Sequence, residues 1–212
     1  MRSPLAESER DALIEAMLPD VAFDGWSRAA LRAAARRLGM PAGEALALFP
    51  GGAADLVAGF SRWVNRQMLD RLEASPLDQL RGSERIALAI GARLEIVEPW
   101  REAVRRSLTI LSLPQHAPLS MRLLYETVDA VWYAAGDTAT DFSFYTKRLT
   151  LAAIYGATVL YWLDDRSEGF VETRAFVERR LAGAARIGRI RRALESTLQH
   201  LPNPLRLLRP SR

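Results

Sequence analysis

Few side chains in this sequence are of the types that perform covalent chemistry. The two histidines, His116 and His200, lie far apart, each near a proline. No His-x-x-x-His, Glu-x-x-His or carboxylate cluster has metal-ligand spacing. There is no cysteine, which removes thiolate ligands, thiol nucleophiles and disulfides together. No nucleophile elbow, phosphate-cradling glycine loop or dinucleotide fingerprint occurs. Asp164-Asp165, the nearest approach to a paired acid site, reads as a solvated turn at a helix end. The expectation is a non-enzymatic chain with no cofactor and no metal. What remains is binding chemistry, concentrated in Gly136–Arg148, GDTATDFSFYTKR, where aromatics and a cation pair sit at the start of a helix. Asp141, or Thr140 before it, is a good N-cap, which puts Phe142, Phe144, Tyr145, Lys147 and Arg148 in the first two turns. Such aromatics either seat the helix on a core or form a contact surface.

The elements that position this segment read as helices throughout. At 212 residues, 49% of them apolar, the chain is long enough for one or two domains with a substantial core. Helical periodicity runs from Ser83 to Val97, Pro99 to Ser112, Pro118 to Ala135, Asp141 to Leu163 and Phe170 to about Ala185. Alternating runs bounded by hairpin dipeptides are missing, so the class is all-α. In the Pro118 helix, Met121, Leu124, Val128, Val131 and Trp132 form one apolar stripe. In the next, Leu149, Ala153, Gly156, Leu160 and Leu163 form another. Small residues at 152, 153, 156 and 157 suit either close packing or a slender cavity. Spacing alone favours ordinary core; the other reading is an apolar ligand site built from Met121, Leu124, Val128, Val131, Leu149, Ala153, Gly156 and Leu160, with no charged anchor.

Upstream, residues 7 to 18 form a first helix with Leu13, Met17 and Leu18 inward. A second helix carries Leu31, Ala34, Ala35 and Leu38 and stops at Gly39, a short one ends at Phe49-Pro50, and a long one runs from about Gly52 to Ala74. That order is the arrangement of a TetR-type helix-turn-helix. Its third helix, Glu44-Ala45-Leu46-Ala47-Leu48, offers an acid and apolar groups where base edges require donors. Arg32, Arg36 and Arg37 read as a solvated helix face, so nucleic acid is not expected as a partner.

Charge is uneven. Residues 186–212 carry seven arginines and one acid, a net of +6, which leaves −2 for the rest of a chain whose total is +4. Placing Ile187 at 0° and advancing by 100° per residue puts Ile190, Leu194, Leu198 and Leu201 within an arc of about 80°, with Arg186, Arg189 and Arg192 opposite. One face is oily and the other basic, which suits a membrane interface; packing on the body or a dimer seam is the alternative. Pro202 and Pro204 end this helix. No apolar run is long enough to span a bilayer, and the N-terminus lacks a signal-peptide pattern, so the expected location is cytoplasmic. The organisation is then 1–75, a helix-turn-helix-like lobe; 76–185, a helical ligand lobe; and 186–212, an amphipathic basic helix and tail.

The sequence resembles the ubiquinone-biosynthesis accessory family, lipid-binding TetR-like proteins that assist a di-iron quinone-ring hydroxylase. The likeness rests on Ala135-Gly136-Asp137-Thr138, Thr140-Asp141-Phe142-Ser143-Phe144-Tyr145-Thr146-Lys147-Arg148, Ala153-Ile154-Tyr155, and Asp165-Arg166-Ser167. It continues in Phe170, Thr173, Phe176, Arg179 and Arg180. Ser143 and Phe144 stand where the family pattern has Asn and Trp, which leaves an apolar contact but no indole N–H. The resemblance implies an isoprenoid quinone lipid between the later helices and a homodimer. It also implies a hydroxylase partner held by Trp132, Asp137, Asp141, Phe144, Tyr145, Lys147 and Arg148, and peripheral contact with the inner membrane through the tail. The other readings that stay open are a TetR-family transcriptional regulator with an apolar ligand, and a ligand-free dimeric scaffold.

Overall fold

The computed structural model describes residues 4–75, 77–136 and 143–199, and the side chains of all of these except 4, 78, 143, 144 and 187–199. Nine α-helices and no strand occur among the described residues: α1 Pro4–Asp24, α2 Arg28–Arg37, α3 Ala42–Leu48, α4 Ala53–Glu73, α5 Gly82–Val97, α6 Arg101–Leu111, α7 Ala117–Ala134, α8 Ser143–Asp164 and α9 Val171–Gln199. This is the expected all-α order.

The first three helices pack on one another, and α1 packs on α4. Expected to stop at residue 18, α1 instead runs through Pro19 to Asp24. An internal proline costs about 3 kcal/mol. The buried series Leu13, Ile14, Met17, Leu18, Val21 keeps its helical spacing across the proline and offsets that cost. Ser27 caps α2 by accepting from the Ala30 N–H. Gly39, with φ of +68°, ends it, its own N–H donating to the Arg36 carbonyl and that of Met40 to the Ala35 carbonyl. A buried Arg10 on α1 locks α3 in place: it donates to the Leu48 carbonyl and to Asp55 Oδ1 at 2.8 Å, with its guanidinium 4.0 Å from the Phe49 ring centre.

Trp26 and Arg106 join this lobe to the remaining helices. Trp26 Nε1 donates to the Ala103 carbonyl at 3.1 Å, and Arg106 Nη2 donates to the Ala22 carbonyl at 2.8 Å. In the later lobe α7 packs against α4, α5 and α8, and α9 against α5 and α8. Arginines of α6 cap α8: Arg101 Nη1 donates to the Trp162 and Asp165 carbonyls, both at 2.7 Å, and Arg105 Nη2 to the Leu163 carbonyl at 3.2 Å. Cations there also suit the negative end of the helix dipole. A single α9 runs from Val171 to Gln199, so the break expected near Ala185 does not occur. Gly183 is accommodated within it.

Candidate functional site

Between α4, α5, α6, α7 and α8 lies a cavity of about 330 Å³, near the lower end of the size range of ligand pockets. Its walls are mostly apolar: Val57 and Phe60 on α4, Leu94 and Val97 on α5, Val104 and Leu108 on α6, Leu123 and Leu124 on α7, Val159 and Trp162 on α8. Leu160 also lines it and is 62% exposed, so the cavity reaches the surface along α8. Gly156 forms part of the wall, and a Cβ added there would meet nothing within 4 Å.

Of the eight residues expected to line a ligand site, Leu124, Gly156 and Leu160 line this cavity. Val128 and Val131 are fully buried, but in solid core rather than at the cavity. Met121, 65% exposed, Leu149, 72% exposed, and Ala153 face outward and correct the expected lining. The reason is helix phase: α8 has two apolar faces. Leu151, Ile154, Val159 and Trp162 turn inward, whereas Leu149, Ala153, Ala157 and Leu160 recur at helical spacing on the outside.

The cavity also contains a charged group that the apolar stripes do not announce. Arg93 on α5 lines it and is 7% exposed. Its Nε donates to Tyr155 Oη at 2.7 Å and its Nη1 to Asn65 Oδ1 at 2.6 Å, while Nη2 lies 3.5 Å from Ser61 Oγ. The signal is present in the sequence as one arginine inside the apolar run Ile86–Val97. Its partners lie 28, 32 and 62 residues away, which hides the cluster.

A larger groove of about 810 Å³ lies between α4, α5 and α9. Its lining carries Glu95 in salt bridges to both Arg71 and Arg174, with Arg81, Glu84 and Glu178. Hydrocarbon gains less against such a lining than in the apolar cavity.

The segment expected to contact a partner is only partly described. Asp137 and Asp141 lie outside the described residues, as does the Phe144 side chain. Trp132 is half-buried; its Nε1 has no acceptor among the described residues, and Lys147 Nζ stands 5.5 Å from its ring centre. Tyr145 is exposed. Arg148, 8% exposed, turns inward and donates through Nε and Nη2 to Asp129 Oδ1 at 2.9 and 2.7 Å, which ties the second turn of α8 to α7. With Met121, Tyr125 and Tyr133 on α7, Tyr145 and Leu149 give this pair of helices an exposed apolar surface. Of the expected membrane contacts, Arg186 is exposed on α9 and residues 187, 189, 190, 194 and 198 continue the same helix; Leu201 lies outside the described residues.

Asp165 corrects another expectation, for it is buried. Burial pushes its carboxyl up, but hydrogen bonds from the hydroxyls and backbone N–H groups of Ser167 and Thr173, at 2.6 to 2.9 Å, outweigh that and hold it at about 2. The same turn carries Gly169 and Phe170 at φ of +58° and +44°, the latter a strained conformation for a residue with a side chain. Asp165 therefore fixes the direction in which α9 leaves α8.

The profile of the COQ9 family matches residues 117–188, which spans α7, α8 and the first 18 residues of α9. The chain is similar to the mitochondrial ubiquinone biosynthesis protein COQ9 of Xenopus tropicalis, 35% identical over 198 residues, covering 90% of this chain and 62% of that protein. It is 33% identical to the human COQ9 protein with the same coverage of both chains. Against COQ9-B of Xenopus laevis it is 35% identical, covering 90% of this chain and 67% of that one. The chain thus spans roughly three-fifths of the length of most of these relatives. Among solved structures it is similar to a TetR transcriptional regulator from Nitrosomonas europaea ATCC 19718, with a TM-score of 0.66, 26% identity, and coverage of 84% of this chain and 98% of that one.

Proposed function

The chain belongs to the COQ9 family of ubiquinone biosynthesis proteins, and from that premise we propose that it is a non-enzymatic lipid-binding accessory protein. It takes an isoprenoid quinone precursor from the membrane and presents it to a ring-modifying hydroxylase. The observation that carries this reading is the apolar cavity among α4 to α8, open at Leu160. Each Å² of isoprenoid surface buried there contributes roughly 25 cal/mol. The cavity is small, so it takes the head and the first part of a tail, with the remainder leaving past Leu160 along the outer face of α8.

The exposed surface of Met121, Tyr125, Tyr133, Tyr145 and Leu149 is the docking face for the hydroxylase in this reading, because monomeric proteins rarely keep large aromatic patches in water. Trp132 and Lys147 border it. Arg148 supports it from beneath by holding α8 on α7. The basic segment from Arg186 onward rests on anionic lipid, each basic group contributing on the order of 1 kcal/mol before screening, and the protein acts as a homodimer. No described helix is long and apolar enough to cross a membrane, which fits peripheral contact. Against the regulator reading, α3 exposes Ala42, Gly43, Glu44 and Ala47, a face with one carboxylate and no donor for base edges.

Incubating the full chain with vesicles that contain a labelled isoprenoid quinone tests the proposal. Separation of protein from vesicles should recover label with the protein. Label that stays wholly with the vesicles contradicts it.

A further inference from the structure

The buried guanidinium of Arg93 stands in an apolar cavity and meets only neutral oxygens. Its ordered acceptors are a phenol, an amide carbonyl and a more distant serine hydroxyl. No carboxylate lies within 4 Å of it among the described residues. Of the five N–H donors on a guanidinium, these contacts engage three, one of them at 3.5 Å, which leaves an N–H on each terminal nitrogen. Other buried arginines of this chain are balanced: Arg10 pairs with Asp55 and Arg148 with Asp129. A charge taken out of water without a counter-charge is penalised, and neutral acceptors offset only part of that. Arg93 also satisfies the buried Asn65 Oδ1, but a neutral donor would do the same, so the positive charge itself is left without a counter-charge.

We propose that Arg93 is the head-group anchor of the cavity, and that its ligand is an amphiphile with an anionic head, a carboxylate or a phosphate, and a hydrocarbon body. The anion supplies the missing counter-charge and takes the two remaining N–H donors as a fork. Such charge-assisted pairs are the strong members of their class. Tyr155 and Asn65 hold the guanidinium in position from the other side. The hydroxyls of Ser61, Ser120 and Thr127 also line the cavity and add polar groups to its wall. The hydrocarbon then runs between α6, α7 and α8 to the opening at Leu160. This rests on the lipid-binding proposal and narrows it to acidic ligands, either a biosynthetic acid or a membrane phospholipid.

The test is calorimetric titration of delipidated full-length protein with four ten-carbon probes: decanoate, decyl phosphate, 1-decanol and decylammonium. The two anions should bind at least 10-fold more tightly than the alcohol, and the ammonium more weakly than all of them. The stronger of the two anions identifies the source, acid or phospholipid. In Arg93→Met the anion-over-alcohol ratio should fall below about 3-fold, and in Arg93→Lys a part of it should return. Binding of decanol as tight as that of the anions overturns the anchor while leaving the lipid cavity in place. Failure of all four probes overturns the cavity reading itself. An undiminished anion preference in a folded Arg93→Met protein refutes the role of this residue, and should that variant not fold, the ranking of the four probes on the unaltered protein decides.

Discussion

Replacing Gly156 by Leu separates a real ligand cavity from a packing gap. Gly156 lies inside α8 and lines the cavity, and a Cβ at this position would have no neighbour within 4 Å. Two effects therefore act in the same direction on stability. Removing a glycine from a helix interior contributes about 1 kcal/mol, and a leucine side chain placed fully among apolar walls contributes about 1.5 to 3 kcal/mol more. At roughly 2 to 4 °C per kcal/mol for a protein of this size, the variant should melt several degrees above the unaltered chain when both are lipid-free. Ligand response should move the opposite way. Lipid at about 100 times its dissociation constant stabilises the binding-competent protein by about 2.7 kcal/mol, a rise of about 5 to 10 °C, and this rise should vanish in Gly156→Leu. Scanning calorimetry with and without lipid reads both numbers. A Leu variant that keeps the full lipid-induced rise refutes occupation of this cavity, and one that melts well below the parent refutes the open space beside Gly156.

Further outcomes follow from other parts of the fold. The Asp165 carboxyl sits at about 2 when folded, against an ordinary value near 4, so the unfolded chain takes up its proton first as pH falls. Its contribution, about 2 kcal/mol, is full above pH 4 and lost between about pH 4 and 2; the stability gap between parent and Asp165→Asn in urea titrations should close over that window. Tyr145→Ala should leave a folded protein and weaken hydroxylase binding at least 10-fold by surface plasmon resonance, with equal affinity counting against the docking face. Arg148→Ala, by contrast, breaks the pair with the half-exposed Asp129 and should cost about 1 to 2 kcal/mol in the same melts. Deleting residues 187–212 should abolish co-sedimentation with anionic vesicles while the helical content of the remainder persists; full sedimentation contradicts the tail assignment.

Much of this architecture is legible in the residues. Gly39 and Gly52 punctuate α2 and α4 by positive φ values that few other residues adopt, and Pro41, with its fixed φ, precedes α3, so the helix-turn-helix order can be read without any tertiary information. Phase on α8 cannot. A helix apolar on two faces offers two equally good stripes, and only the packing of α7 and α9 against it decides that Leu151, Val159 and Trp162 go inside while Leu149 and Ala153 stay out. Arg93 is hidden for a related reason: its meaning lies in Asn65 and Tyr155, which periodicity does not connect with it. The Asp165 turn misleads because a carboxylate between Asp164 and Arg166 looks solvated until Thr173, in the first turn of α9, folds back over it.

Mass spectrometry of an organic extract from the full-length protein, purified without detergent from cells that make ubiquinone, addresses the central claim most directly. A stoichiometric isoprenoid or acyl lipid in the parent extract, and its depletion in Gly156→Leu prepared in parallel, is the outcome that agrees with a lipid-carrying accessory role. A parent protein that is folded, active in vesicle binding and free of any bound lipid contradicts it.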